Sequence, residues 1–185
     1  MLTTETYTID EALAELDERI AEYEAEMDRL DEETDADDPL PDAYDTAKER
    51  WDRLRYLKNG LQWQRDEEGW GDATVELGAL TAGEKAMMHR KAPDKAGAEE
   101  LRLWFVAAST VSAPYAEDDL EATFRNLADC HPGFTEWVES KANGLGVPTE
   151  SGNSSSTSST ATESSGTSTT EPGSTTSSSS DSPTA

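Results

Sequence analysis

Cysteine is almost missing from this chain: Cys130 stands alone in 185 residues. A single thiol excludes an intramolecular disulfide framework and leaves no second sulfur for a Cys-rich metal site. Basic residues are scarce as well, with 15 Lys and Arg against 40 Asp and Glu and a formal net charge of −25. Such a chain repels nucleic acid and anionic membrane surfaces, and it has no polybasic stretch to offset the repulsion. Neither nucleic acid nor a membrane is therefore expected as a partner. Long apolar runs are absent too, which excludes a spanning helix of about 20 residues. The start, Met1-Leu2-Thr3-Thr4-Glu5, lacks the basic and apolar regions of a signal peptide, so a cytoplasmic, soluble protein is expected.

Catalytic signatures are equally sparse. The chain has no phosphate-cradling Gly-x-x-x-x-Gly-Lys loop, no Gly-x-Ser-x-Gly elbow and no His-Glu-x-x-His helix. Gly144-Leu145-Gly146 is too short for a dinucleotide loop. Cys130-His131 is the one tempting pair, but a thiol nucleophile needs a base in reach and a third group to orient it. Adjacent residues at a helix end rarely converge, so Cys130 reads as a small core residue and His131 as a helix-end residue. Asp35-Ala36-Asp37-Asp38 lacks the spacing of a calcium loop and reads as a solvated turn. No catalytic residue, metal site or cofactor is expected.

What the chain does contain is acid and helical periodicity. Asp and Glu in excess, with more Arg than Lys, resemble proteins adapted to high salt, where a screening length of about 3 Å near 1 M tolerates self-repulsion. Ile9, Leu13, Leu16, Ile20, Tyr23, Met27 and Leu30 form a heptad seam. Asp10 is a candidate helix start. After the Asp/Pro stretch 35–41 a second seam follows: Tyr44, Ala47, Trp51, Leu54, Lys58 and Leu61, with Leu57 covering the polar Lys58.

Folded antiparallel, the two seams bring Leu30 to Ala47 and Met27 to Trp51, with ion pairs Asp31–Lys48, Glu24–Arg55 and Glu26–Arg50. A two-helix hairpin leaves apolar flanks that the rest of the chain or a partner must cover.

The expected organisation is a flexible N-terminus (1–8), a helical hairpin (9–66), a small helical domain (73–148) and a disordered tail (149–185). The fold class is mainly α, with at most one short strand, over residues 73–77, where Thr74-Val75-Glu76-Leu77 alternates polar with apolar. Thr81-Ala82-Gly83-Glu84 fits a capping box, and Pro93 ends the helix it starts. Residues 94–112, apolar nearly all round, suggest a buried helix. Asp118 or Asp119 starts an amphipathic helix, and Phe134, Trp137, Val138 and Leu145 mark a last one. The tail is mostly Ser and Thr and cannot offset its ordering entropy by burial. It holds Asn153-Ser154-Ser155, a glycosylation acceptor pattern that lacks an export signal beside it.

Four side chains are candidates for a partner surface: Trp63 and Trp70 near the hairpin's exit, and Met87-Met88, whose flexible thioethers suit an adaptable groove. Core packing explains the remaining tryptophans.

One stretch points to a family. Residues 75–84, Val-Glu-Leu-Gly-Ala-Leu-Thr-Ala-Gly-Glu, resemble the short strand and capped helix of small tail-assembly proteins of tailed viruses. Leu101 to Ser109 is similar to their buried central helix. Pro114, Leu120, Phe124 and Leu127, followed by Pro132, Phe134, Trp137, Val138, Asn143 and Leu145, are similar to their closing helix pair. The resemblance covers residues 75–148, and the acidic hairpin departs from the pattern. It implies a tail-assembly chaperone of a haloarchaeal tailed virus or provirus, without catalytic residues, that binds a tail-tube or tape-measure protein before assembly. The other readings are a structural connector or scaffold of a particle, and a halophilic coiled-coil adaptor.

Overall fold

A computed structural model describes residues 1–34 and 39–146. The acidic run 35–38, the Ser/Thr-rich tail 149–185 and Asn153 lie outside the described residues. The fold is mainly helical with a small sheet, in the order β1 (Thr4–Thr8), α1 (Ile9–Glu33), α2 (Asp42–Glu67), β2 (Thr74–Gly78), α3 (Ala82–Lys91), α4 (Ala98–Ser109), β3 (Thr110–Ser112), α5 (Leu120–Ala128) and α6 (Pro132–Leu145).

The two heptad seams form the long hairpin of α1 and α2. Ile9, Leu13, Leu16, Ile20 and Leu30 are buried on α1, facing Ala47, Leu54, Leu57 and Leu61 of α2. The helix start lies earlier than Asp10: Thr8 is the N-cap, and its hydroxyl accepts the Glu11 N–H at 3.2 Å. The expected cross-hairpin ion pairs do not form among the described residues. Glu24 accepts a hydrogen bond from Trp51 Nε1 at 3.0 Å, one helical turn before Arg55, and Arg55 stacks over the same indole at 4.5 Å. Lys48 pairs with Asp52 on its own helix. Lys58, at its seam position, reaches Asp17 at 2.5 Å, which takes its charge out of the apolar interface.

The first eight residues are not a flexible lead-in. Thr4–Thr8 pairs antiparallel with β2, Thr4 opposite Gly78 and Thr8 opposite Thr74. Among the described residues the sheet has three strands, order β1-β2-β3, where at most one was expected. The third comes from the end of the apolar run 94–112. The helix stops at Ser109, where the Thr110 hydroxyl bonds back to the Val106 carbonyl at 2.8 Å. The β-branched Thr110 and Val111 then turn extended, and Thr110 pairs with Leu77 and Ser112 with Glu76, with a register shift between the two pairs.

One core runs through both expected domains. Leu13, Leu16 and Leu61 of the hairpin share it with Val75, Leu77, Val106, Leu127, Phe134 and Trp137. The hairpin's apolar flank is thus covered by its own chain, chiefly by α6 against α2. A smaller cluster of Met88, Ala92 and Trp104 holds α3 onto α4, with Trp104 stacked on Phe124 at 4.5 Å.

Candidate functional site

Helix α3 is placed by its capping box. The Thr81 hydroxyl accepts the Glu84 N–H at 3.2 Å, and a Glu84 oxygen accepts the Thr81 N–H at 2.8 Å. The other Glu84 oxygen takes the Met1 amine at 2.9 Å. That bond first, and then those from Thr81, pull the Glu84 carboxyl down to about 2. So anchored, α3 puts Met87 and Met88 in different surroundings, although they are adjacent. Met88 is 3 % exposed and packs on Trp104, whereas Met87 is 59 % exposed.

Beside Met87 a groove of about 240 Å³ opens between α3, the end of α4, β3 and the segment that leads into α5. Its apolar surfaces come from Met87, Ala107, Ala108, Val111 and Leu120, with Met88 at its base. Val111, at 44 %, is its second exposed apolar side chain. Glu84, Glu117 and Asp118 are the charged residues of the lining, which holds no cation. The backbone of Glu117 is pinned: Thr123 Oγ accepts its N–H at 2.9 Å and donates to its carbonyl at 3.2 Å.

The tryptophan candidates lie elsewhere. Trp63, 37 % exposed, forms a small aromatic patch with Tyr56 and His131, whose ring centroid is 6.2 Å from its own. Trp70 is half-buried, its ring edge-on to Phe134 at 5.7 Å and tilted against Tyr115 at 6.1 Å. It serves the core more than a surface. The four candidates therefore do not form one surface. Sequence reasoning missed Val111, Glu117 and Asp118, because only the turn of the chain from α4 into β3 brings them beside Met87.

Cys130 and His131 are engaged separately. The Cys130 thiol donates to the Asn126 carbonyl at 3.4 Å, and burial pushes it up to about 11. His131 is the N-cap of α6, its Nδ1 accepting the Gly133 N–H at 3.0 Å. Cys130 lines a second cavity of about 200 Å³ with Gln64, Trp70, Tyr115 and Asn126. The Gln64 amide there is fully buried, with neither its oxygen nor its nitrogen in a hydrogen bond of good geometry. The thiol beside it is near enough for a weak polar contact, which slightly offsets the upward push of burial on Cys130. Burial likewise raises the Tyr115 phenol above its ordinary range.

Among the described residues, no group of three or more His, Cys, Asp and Glu side chains is arranged to hold a metal ion. No helix among them is long and apolar enough to cross a membrane. Comparison with known proteins finds no matching family model, no matching curated sequence and no matching solved structure.

Proposed function

We propose that this protein is a non-enzymatic assembly chaperone or adaptor that holds a partner protein in the groove beside Met87. The observation that carries this reading is that Met87 and Val111, both exposed, line one groove together with Met88, which is itself buried against Trp104. A flexible thioether at the mouth of a rigid groove suits a surface that accepts and releases a client. The resemblance of residues 75–148 to small tail-assembly proteins supplies the client class: tail-tube or tape-measure proteins of a halophilic tailed virus.

Co-expression with tail-tube and tape-measure proteins, followed by purification in molar salt, tests the reading. A client should co-purify with the wild type and be lost with Met87→Glu at an unchanged thermal midpoint. Retrieval of no tail protein by the wild type would sink it. Mass spectrometry of finished particles separates a chaperone, which should be missing, from a structural connector, which should be present.

A further inference from the structure

The groove's chemistry narrows what can sit in it. Among the described residues β3 has a single neighbour in the sheet, β2, and its three residues Thr110, Val111 and Ser112 carry no charge. Edge strands are commonly protected by charged side chains, and β1 at the opposite edge carries Glu5. β3 has no charged guard; what limits its edge is its length of three residues and its irregular register on β2. A cavity of about 240 Å³ suits one or two side chains, not the row of anchors that a docked helix presents over several turns.

The charge of the lining is one-sided. Glu84 is already occupied by the Met1 amine, while Glu117 and Asp118 enter no ion pair among the described residues. The bonds from Thr123 fix the Glu117 backbone before any partner arrives, which lowers the ordering cost of using its carboxylate.

We propose that the groove takes an extended, basic segment of a partner protein, paired by its backbone with the free edge of β3. One apolar side chain seats between Met87 and Val111, and Lys or Arg side chains face Glu117 and Asp118. The proposal rests on the groove being the partner surface and adds the partner's chemistry: main-chain pairing for affinity, an apolar anchor and positive charge for selectivity.

The test uses the full chain and a short fluorescent peptide that alternates lysine with valine around one central phenylalanine. Fluorescence anisotropy at about 0.2 M salt, where exposed charges still interact, should show saturable binding. The same peptide with glutamate for lysine should not bind. Backbone N-methylation of one alternate set of residues should abolish binding, and methylation of the other set should be tolerated, because only one edge of a strand pairs. Glu117→Gln with Asp118→Asn should weaken binding by about fivefold or more, as expected for two rim charges. Met87→Glu should remove it, with thermal midpoints confirming that both variants fold.

The proposal is overturned if the peptide does not bind. Tolerance of both methylation patterns, or indifference to the charge-neutralised variant, overturns it equally. The chaperone reading fails independently: peptide binding without any co-purifying tail protein removes that function and leaves the groove's chemistry standing. Tail proteins that co-purify while the peptide fails do the reverse.

Discussion

Gly60 of α2 and Gly133 of α6 lie backbone against backbone, so close that neither has room for a side chain. A Cβ on Gly60 would sit 2.5 Å from the Gly133 carbonyl carbon and 2.9 Å from its Cα. One on Gly133 would sit 2.5 Å from the Tyr56 carbonyl oxygen. The obstacles are main-chain atoms, so the helices themselves must separate to admit a methyl group. This crossing brings Phe134 and Trp137 down onto the hairpin, and it joins the two halves of the chain into one core.

Gly60→Ala and Gly133→Ala should each destabilise by about 2–4 kcal/mol, the cost of overpacking a rigid contact. Gly144, in the last turn of α6, has open space where a Cβ would go. Gly144→Ala should stabilise by about 0.5–1 kcal/mol through helix propensity. Urea denaturation of the three variants checks the contrast, and similar losses in all three would mean that the close crossing is not what matters.

Glu84 supplies a pH dependence. Its folded pKa, about 2, is depressed from 4.5, so the stability it confers is fully present above pH 4.5 and disappears as the pH falls through about 2. The gap in thermal midpoint between wild type and Glu84→Gln should therefore be widest above pH 4.5 and close toward pH 2. A gap that stays constant over this range would show that the carboxylate's charge contributes nothing.

Arg102 is the meeting point of three helices' charges. Its guanidinium lies 2.7 Å from Glu99, 3.5 Å from Glu136 and 2.8 Å from Glu139, while Arg53 of α2 reaches Glu136 at 3.2 Å. The Glu139 contact, from Nε, is off the line of a hydrogen bond and acts as an ion contact. Arg102→Met keeps the apolar stem but leaves three carboxylates clustered. The loss, discounted for partial exposure, should be about 1–3 kcal/mol at low salt. Molar salt should shrink that loss, and it should also raise the wild-type midpoint, because the chain carries a net charge of −25. Thermal melts over a salt series read both effects; a wild-type midpoint that falls with salt would contradict the second.

Much of this architecture is written in local sequence. The heptad seams announce the hairpin, and Thr81 with Glu84 announces α3, because both signals are complete within a few residues. β1 carries no comparable signal: Thr4-Glu5-Thr6-Tyr7-Thr8 has one large aromatic side chain, and its partner strand lies some 70 residues away. β3 was hidden differently, since Thr110 and Val111 prolong an apolar run that reads as helix until the Thr110 hydroxyl closes the last turn. Of the candidate groove, Met87 and Met88 were visible as a pair. Which of them faces out depends on Trp104, and the acidic rim depends on how residues 116–118 return past α3.

Cys130 provides the sharpest test of whether any covalent chemistry resides at the α5–α6 junction. An activated cysteine is ionised near neutral pH because a cation or a base sits beside it. Here burial drives the thiol the opposite way, to about 11, and the Nδ1 of His131 is committed to the start of α6. At pH 8 the thiolate fraction is lower by about a hundredfold than for a thiol with its pKa near 9, which sets the expected deficit in alkylation rate. Native protein should therefore react with iodoacetamide about a hundredfold more slowly than protein unfolded in denaturant, with the native rate climbing as the pH approaches 11. Cys130→Ser should leave partner binding unchanged, since the cavity it lines is separate from the groove beside Met87. Rapid native labelling at pH 7 would instead reveal a reactive thiol and reopen an enzymatic reading of Cys130 and His131.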